Sequence, residues 1–159
     1  MNHNYQKDIS GCGLTGLISR KRRRISGSEI VKSLCLMTDR GNGLGAGYAA
    51  YGIYPDFKDF YAFHIMYDEP TVKRTVEDYL KSNYHIEKVE EIPTKAVKAI
   101  PISPMLVRYF VSPLKERLAG EQEETDFVVN TVMKVNSEID GAYIFSSGKN
   151  MGAFKGVGN

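Results

Sequence analysis

Apolar positions along this chain change period several times, and each change marks an element. Phe60–Tyr67 reads as a strand. Val72, Val76, Tyr79 and Leu80 recur at helical spacing and predict a helix over 69–83, with Pro70 in a first turn that tolerates proline. Ile86, Val89 and Ile92 stand among charged residues and predict a strand over 85–92, although their spacing is imperfect. Prolines 93, 101 and 104 break the following stretch into a linker. Met105–Val111 predicts another strand, and 113–122 a loop or short helix. Phe127, Val128, Val132 and Val135 predict a helix over 124–139, and 141–147 a last strand. The order strand, helix, strand, strand, helix, strand is the split βαβ or ferredoxin-like arrangement. It predicts a four-stranded antiparallel sheet with two helices on one face.

The first third of the chain is patterned differently. Residues 1–11 are polar and are expected to form a leader. Cys12–Ile18 reads as a short strand carrying glycines, which mark a close approach to the backbone. Ser26-Gly-Ser28 supplies a helix N-cap, with Glu29 in the first turn. Ile30, Val31, Leu34 and Cys35 predict a helix over 29–38 that buries one face. Asp39–Gly47 is a glycine-dense loop, and Tyr48–Tyr54 a strand of small and aromatic residues. The tail 148–159 is glycine-rich without a clear period. The fold class expected is therefore α+β.

Composition narrows the possible functions. Of 159 residues, 42% are hydrophobic and 25% charged, the balance of a folded soluble protein. The net charge of +2 creates no field that demands nucleic acid or a membrane as partner. Two cysteines are too few for a disulfide framework, and no Cys/His pairing has zinc spacing. A reducing cytoplasm is the expected compartment. No apolar run approaches the roughly 20 residues of a membrane span, and the polar N-terminus has no signal-peptide core.

Cys12 is the candidate nucleophile. Gly11 and Gly13 flank it and leave the thiol accessible. A cysteine attacks as the thiolate, so it needs a base or a positive field. His3, His64 and His85 are scattered, which argues against a Cys/His arrangement. If residues 1–11 are removed, Cys12 gains a free α-amine with a pKa of about 8, suited to act as a base near neutrality. The alternative is that Cys12 is a small apolar residue on a buried strand.

Cys12-Gly-Leu-Thr-Gly-Leu-Ile18 resembles the Cys-Gly-Ile-x-Gly opening of class II, N-terminal-nucleophile glutamine amidotransferases. Met37-Thr-Asp-Arg-Gly-Asn-Gly-Leu-Gly45 is similar to that family's Arg-Gly turn, which follows the first helix and leads into the second strand. The tail Ser146-Ser-Gly-Lys-Asn-Met-Gly152 looks like the glutamate synthase-related subgroup. The resemblance implies a partial amidotransferase layer from 12–56 and 148–159, with 57–147 as an inserted ferredoxin-like unit. It implies glutamine as substrate, Cys12 as catalytic residue, and Arg40-Gly41 as scaffold. Partners follow too: a synthase domain or subunit, and a C-terminal half of the amidotransferase domain that this chain does not encode, without which it would be inactive. No cofactor or metal is implied. A non-catalytic regulatory or binding module on the same scaffold is the alternative.

Three further features are weighed against this. Gly41–Gly47 follows a helix and precedes a strand, the reverse of a dinucleotide-binding turn, and no Lys-Ser/Thr closes it as a P-loop. Arg20-Lys-Arg-Arg-Arg24 could meet nucleic acid or an acidic surface, but no aromatics interleave it, and a solvated loop is the favoured reading. His64 and His85 lack a ligand cluster and are expected to be packing or surface residues.

Overall fold

The computed structural model describes residues 12–21, 23–41, 45–95, 98, 103–118 and 122–156. The expected leader 1–11 lies outside these residues, as do residues 42–44 of the glycine-dense loop. The chain divides into two compact units, one of Met1–Tyr48 with Lys155–Asn159 and one of Ala49–Phe154. The class is α+β, with three α-helices and two sheets among the described residues.

In the larger unit the expected element order is present. Strand β2 (Tyr61–Tyr67) leads through helix α2 (Pro70–Asn83) to β3 (Tyr84–Glu91), and β4 (Met105–Pro113) leads through α3 (Gln122–Glu138) to β5 (Ala142–Ser146). The sheet order is β3-β4-β2-β5, antiparallel at every pairing. Alternation then decides the core. Phe63, Ile65 and Tyr67 of β2 and Val107, Tyr109 and Val111 of β4 point to one face, where Val76 and Leu80 of α2 and Val128 and Val135 of α3 cover them. All four apolar positions expected on each helix, including Val72, Tyr79, Phe127 and Val132, join this core. The imperfect spacing in β3 has a local cause. The register with β4 shifts between Ile86 and Lys88, so the extra residue Glu87 forms a bulge and returns Val89 to the face of Ile86.

The second face of the sheet is also covered. Ala62, His64 and Phe110 lie there, and all are buried. Phe57 stacks on Phe110 with ring centroids 4.2 Å apart, and Tyr54 meets the same ring edge-on. Gly52 N–H donates to Asn150 O, and Tyr54 N–H to the Asn150 side chain, which joins segment 52–54 to the turn before the last strand. Asn150 sits at φ 52°, a left-handed position that asparagine tolerates. Residues 52–60 and 148–154 thus form a second layer over the sheet.

Several expected elements differ. Cys12–Ile18, expected as a strand, has no regular secondary structure, and none of the described residues pairs with it in a sheet. Helix α1 runs Gly27–Cys35, capped by the Ser26 side chain on Ser28 N–H, and ends in a 3-10 turn at Thr38–Arg40. Its inward face is Ile30, Ser33, Leu34 and Met37, all half-buried, whereas Val31 and Cys35 are exposed. The expected buried face was therefore misplaced by part of a turn. Strand β1 is Ala46–Tyr51, earlier than expected. The tail, read as aperiodic, contains strand β6 (Met151–Gly156), which pairs with β1. Glycine dilution hid that strand, since a glycine contributes no apolar signal to the pattern.

Candidate functional site

Around Cys12 the structure brings the two motifs together. A Cβ placed on Gly13 would sit 2.6 Å from Met37 Cβ, so only glycine fits where the first motif crosses the start of the second. Two residues on, Thr15 Oγ1 and Ser33 Oγ share a 2.6 Å hydrogen bond, which ties this segment to α1. Thr38 Oγ1 donates to Cys35 O, and Arg40 and Gly41 N–H groups bond back to Met37 and Thr38 carbonyls, forming the turn that carries Arg40-Gly41. Cys12 itself is an exposed free thiol. It is neither buried nor assigned to a strand. Cys35 is also free and exposed. The described part of the basic loop is exposed, and Arg23 N–H donates to Ser19 Oγ in its turn.

The larger unit holds a half-buried polar chain that sequence reasoning did not single out. Arg108 of β4 makes an ion pair with Glu90 of β3, with Nε 2.8 Å from Oε1. Its Nη1 donates to Tyr54 Oη at 2.9 Å, and Tyr54 Oη lies 2.7 Å from His64 Nε2. The guanidinium also stands over the Tyr54 ring, 4.6 Å from its centroid. Because Arg108 can only donate, Tyr54 Oη accepts from it. His64 Nδ1 is the one buried side-chain polar atom without a partner among the described residues. Burial first, and then the Arg108 charge, lower the His64 pKa to about 4, against a smaller opposing effect of the Ser146 and Ala62 backbone carbonyls. His64 is thus a neutral core histidine at neutral pH. Hydrogen bonds from Lys88 and then Arg108 hold Glu90 below the usual carboxylate range. The network fastens segment 52–60 to the sheet and leaves His64 no room for a substrate, since Gly152 packs against its ring. His85, by contrast, is exposed and pairs with Glu87.

On the helix side, hydroxyls are tied in pairs. Tyr67 donates to Tyr109, which donates to Glu77, and Tyr84 donates to Thr131. Burial raises the pKa of all three tyrosines, so they stay protonated donors. An open groove of about 500 Å³ lies beside Glu77, between α2 and β3, and Tyr84, Ile86 and Leu114 form part of its wall. Among the described residues no group of three or more His, Cys, Asp or Glu side chains is placed to hold a metal ion. No described helix is long and apolar enough to cross a membrane.

No family model matches the chain. It is similar to an uncharacterized protein of Archaeoglobus fulgidus, at 45% identity over 154 residues, which is 96% of this chain. The chain spans 41% of the length of that relative.

Proposed function

We propose that this chain is the front part of a class II glutamine amidotransferase of the glutamate synthase-related kind, with Cys12 as its nucleophile. The observation that carries the reading is the contact between its two motifs. Gly13 crosses Met37 at a distance only glycine permits, and Thr15 bonds to Ser33 of the helix between them. An exposed thiol at position 12 is compatible with attack on a substrate.

In this reading the Cys12 thiolate attacks the side-chain amide carbon of glutamine. A C–S bond forms, the C–N bond breaks, and the amide nitrogen leaves as ammonia after taking up a proton. Water then adds to the thioester, releases glutamate and restores the thiol. The base is the α-amine of Cys12 once the preceding residues are removed. The ammonia passes to a synthase partner, and the remaining glutamine contacts come from a further half of the amidotransferase domain. A ferredoxin-like assignment of Tyr61–Ser146 belongs to the same proposal, supported by the sheet order β3-β4-β2-β5 with α2 and α3 as the crossovers. Cytoplasmic location is supported by the two free cysteines.

The test is glutamate release from glutamine by the complete assembly, together with the intact mass of the native protein. Cys12→Ala is expected to abolish glutamine hydrolysis while synthesis from free ammonia continues. Unchanged hydrolysis would sink the assignment. The second reading is a non-catalytic module; among the described residues none pairs in a sheet with Cys12–Ile18. Native protein that keeps residues 1–11 and hydrolyses no glutamine would establish it.

A further inference from the structure

Glu77 and Lys81 stand four residues apart on α2, so they share one face of the helix, about 6 Å apart along its axis. Both line the open groove between α2 and β3, whose volume of about 500 Å³ suits a small molecule. Each charge pairs away from the other. Glu77 Oε1 meets Lys73 Nζ at 3.6 Å, and Lys81 Nζ meets Asp78 at 3.9 Å. Glu77 is also held from the core. The Tyr67 hydroxyl donates to Tyr109, whose hydroxyl donates to Glu77 Oε1 at 3.0 Å. This chain of two phenol donors ends on the carboxylate. Both contacts use Oε1, so among the described residues Oε2 keeps its acceptor capacity. The Glu77 side chain is only 24% exposed, and partial removal from water strengthens its pull on a cation. The rest of the lining is largely apolar. The bulge at Glu87 returns Val89 to the face of Ile86, and Tyr84 and Leu114 continue that surface. Val89 is 44% exposed there, an aliphatic side chain open to the groove.

We infer that this groove binds an α-amino acid with an apolar side chain. Its ammonium group meets Glu77, its carboxylate meets Lys81, and its side chain covers Ile86, Val89 and Leu114. Charge complementarity selects the zwitterion. A simple amine leaves Lys81 without a counter-charge on the ligand, and a simple carboxylate meets Glu77 as a like charge. The inference goes beyond the amidotransferase reading. The groove lies within Ala49–Phe154 and Cys12 outside it, so the site stands whether or not Cys12 hydrolyses glutamine.

Methyl NMR of the full chain, titrated with leucine, tests it. Saturable shifts are expected at the methyl groups of Ile86, Val89 and Leu114. Three probes each remove one part of the ligand: 3-methylbutylamine lacks the carboxylate, 4-methylpentanoate lacks the amine, and glycine lacks the apolar body. Each is expected to bind at least tenfold more weakly than leucine. Glu77→Gln should weaken leucine at least tenfold while leaving 4-methylpentanoate no weaker, a charge-specific change that general loosening of the fold would not produce. Should Glu77→Gln fail to fold, Lys81→Gln at an exposed position gives the converse, with leucine weakened and 3-methylbutylamine unchanged. The analogue series on the unaltered chain needs no variant. No saturable shift with leucine overturns the inference, as do shifts confined to residues outside the groove. Amine binding as tight as leucine binding overturns it in favour of a site for apolar amines.

Discussion

His64 binds a proton near pH 6.5 in an unfolded chain, but near pH 4 in the folded one. The unfolded state therefore takes up the proton first as pH falls. Stability from this residue is fully present above about pH 6.5, declines between the two values, and is flat below about pH 4. A shift of this size corresponds to on the order of 3 kcal/mol lost across that window. Denaturant unfolding at stepped pH should show it. Carboxylates such as Glu90 titrate near the lower end, so the informative quantity is the difference between the protein and His64→Gln, whose pH slope should be shallower. An equal slope would mean that His64 is already solvated. The sequence read this histidine as a packing or surface residue, and the structure buries it. Tyr54 lies 10 residues from His64, and Arg108 lies 54 residues from Tyr54; neither carried a motif. Only the fold brings them together.

Elements were read well wherever burial repeats at a single period. Helix α2 fell within one residue of its expected start because Val72, Val76, Tyr79 and Leu80 mark one stripe. Helix α3 shows what the stripe omits. Thr131 is buried with it, receiving the Tyr84 hydroxyl, and Asn136 reaches β5, accepting from Ile144 N–H at 2.7 Å and donating to Ile144 O at 3.1 Å. One side chain there supplies both bonds that a further strand would make. Asn136→Ala should leave that backbone pair unsatisfied and cost about 1–3 kcal/mol. Asn136→Asp should cost less if it keeps the acceptor. Thermal unfolding of both variants checks the order, and no loss in the alanine variant would show that water replaces the amide. Polar residues of this kind are invisible to hydropathy, since their burial depends on a distant partner.

At the scale of the molecule the hydrophobic core is confined to one unit. Every residue of the core cluster lies between Tyr61 and Ile144. The second face is closed by 52–60 and 148–154, within Ala49–Phe154. A chain of residues 49–154 should therefore fold alone, with cooperative unfolding and the near-ultraviolet signal of its buried tyrosines. A fragment without a cooperative transition would show that the smaller unit is needed. What the sequence by itself determined is the list of elements in the larger unit, because side-chain periodicity is local and a buried face repeats along it. It also marked Cys12 and the two motifs, since chemistry of that kind depends on residue type. Tertiary structure alone decided the sheet order, the bulge at Glu87, the pairing of the glycine-rich tail and the network around His64. Each of these is a meeting of distant segments, and no local period encodes which partner arrives. The same reason governs residues 12–18. The sequence writes them as a strand, but a strand becomes part of a sheet only when another backbone pairs with it.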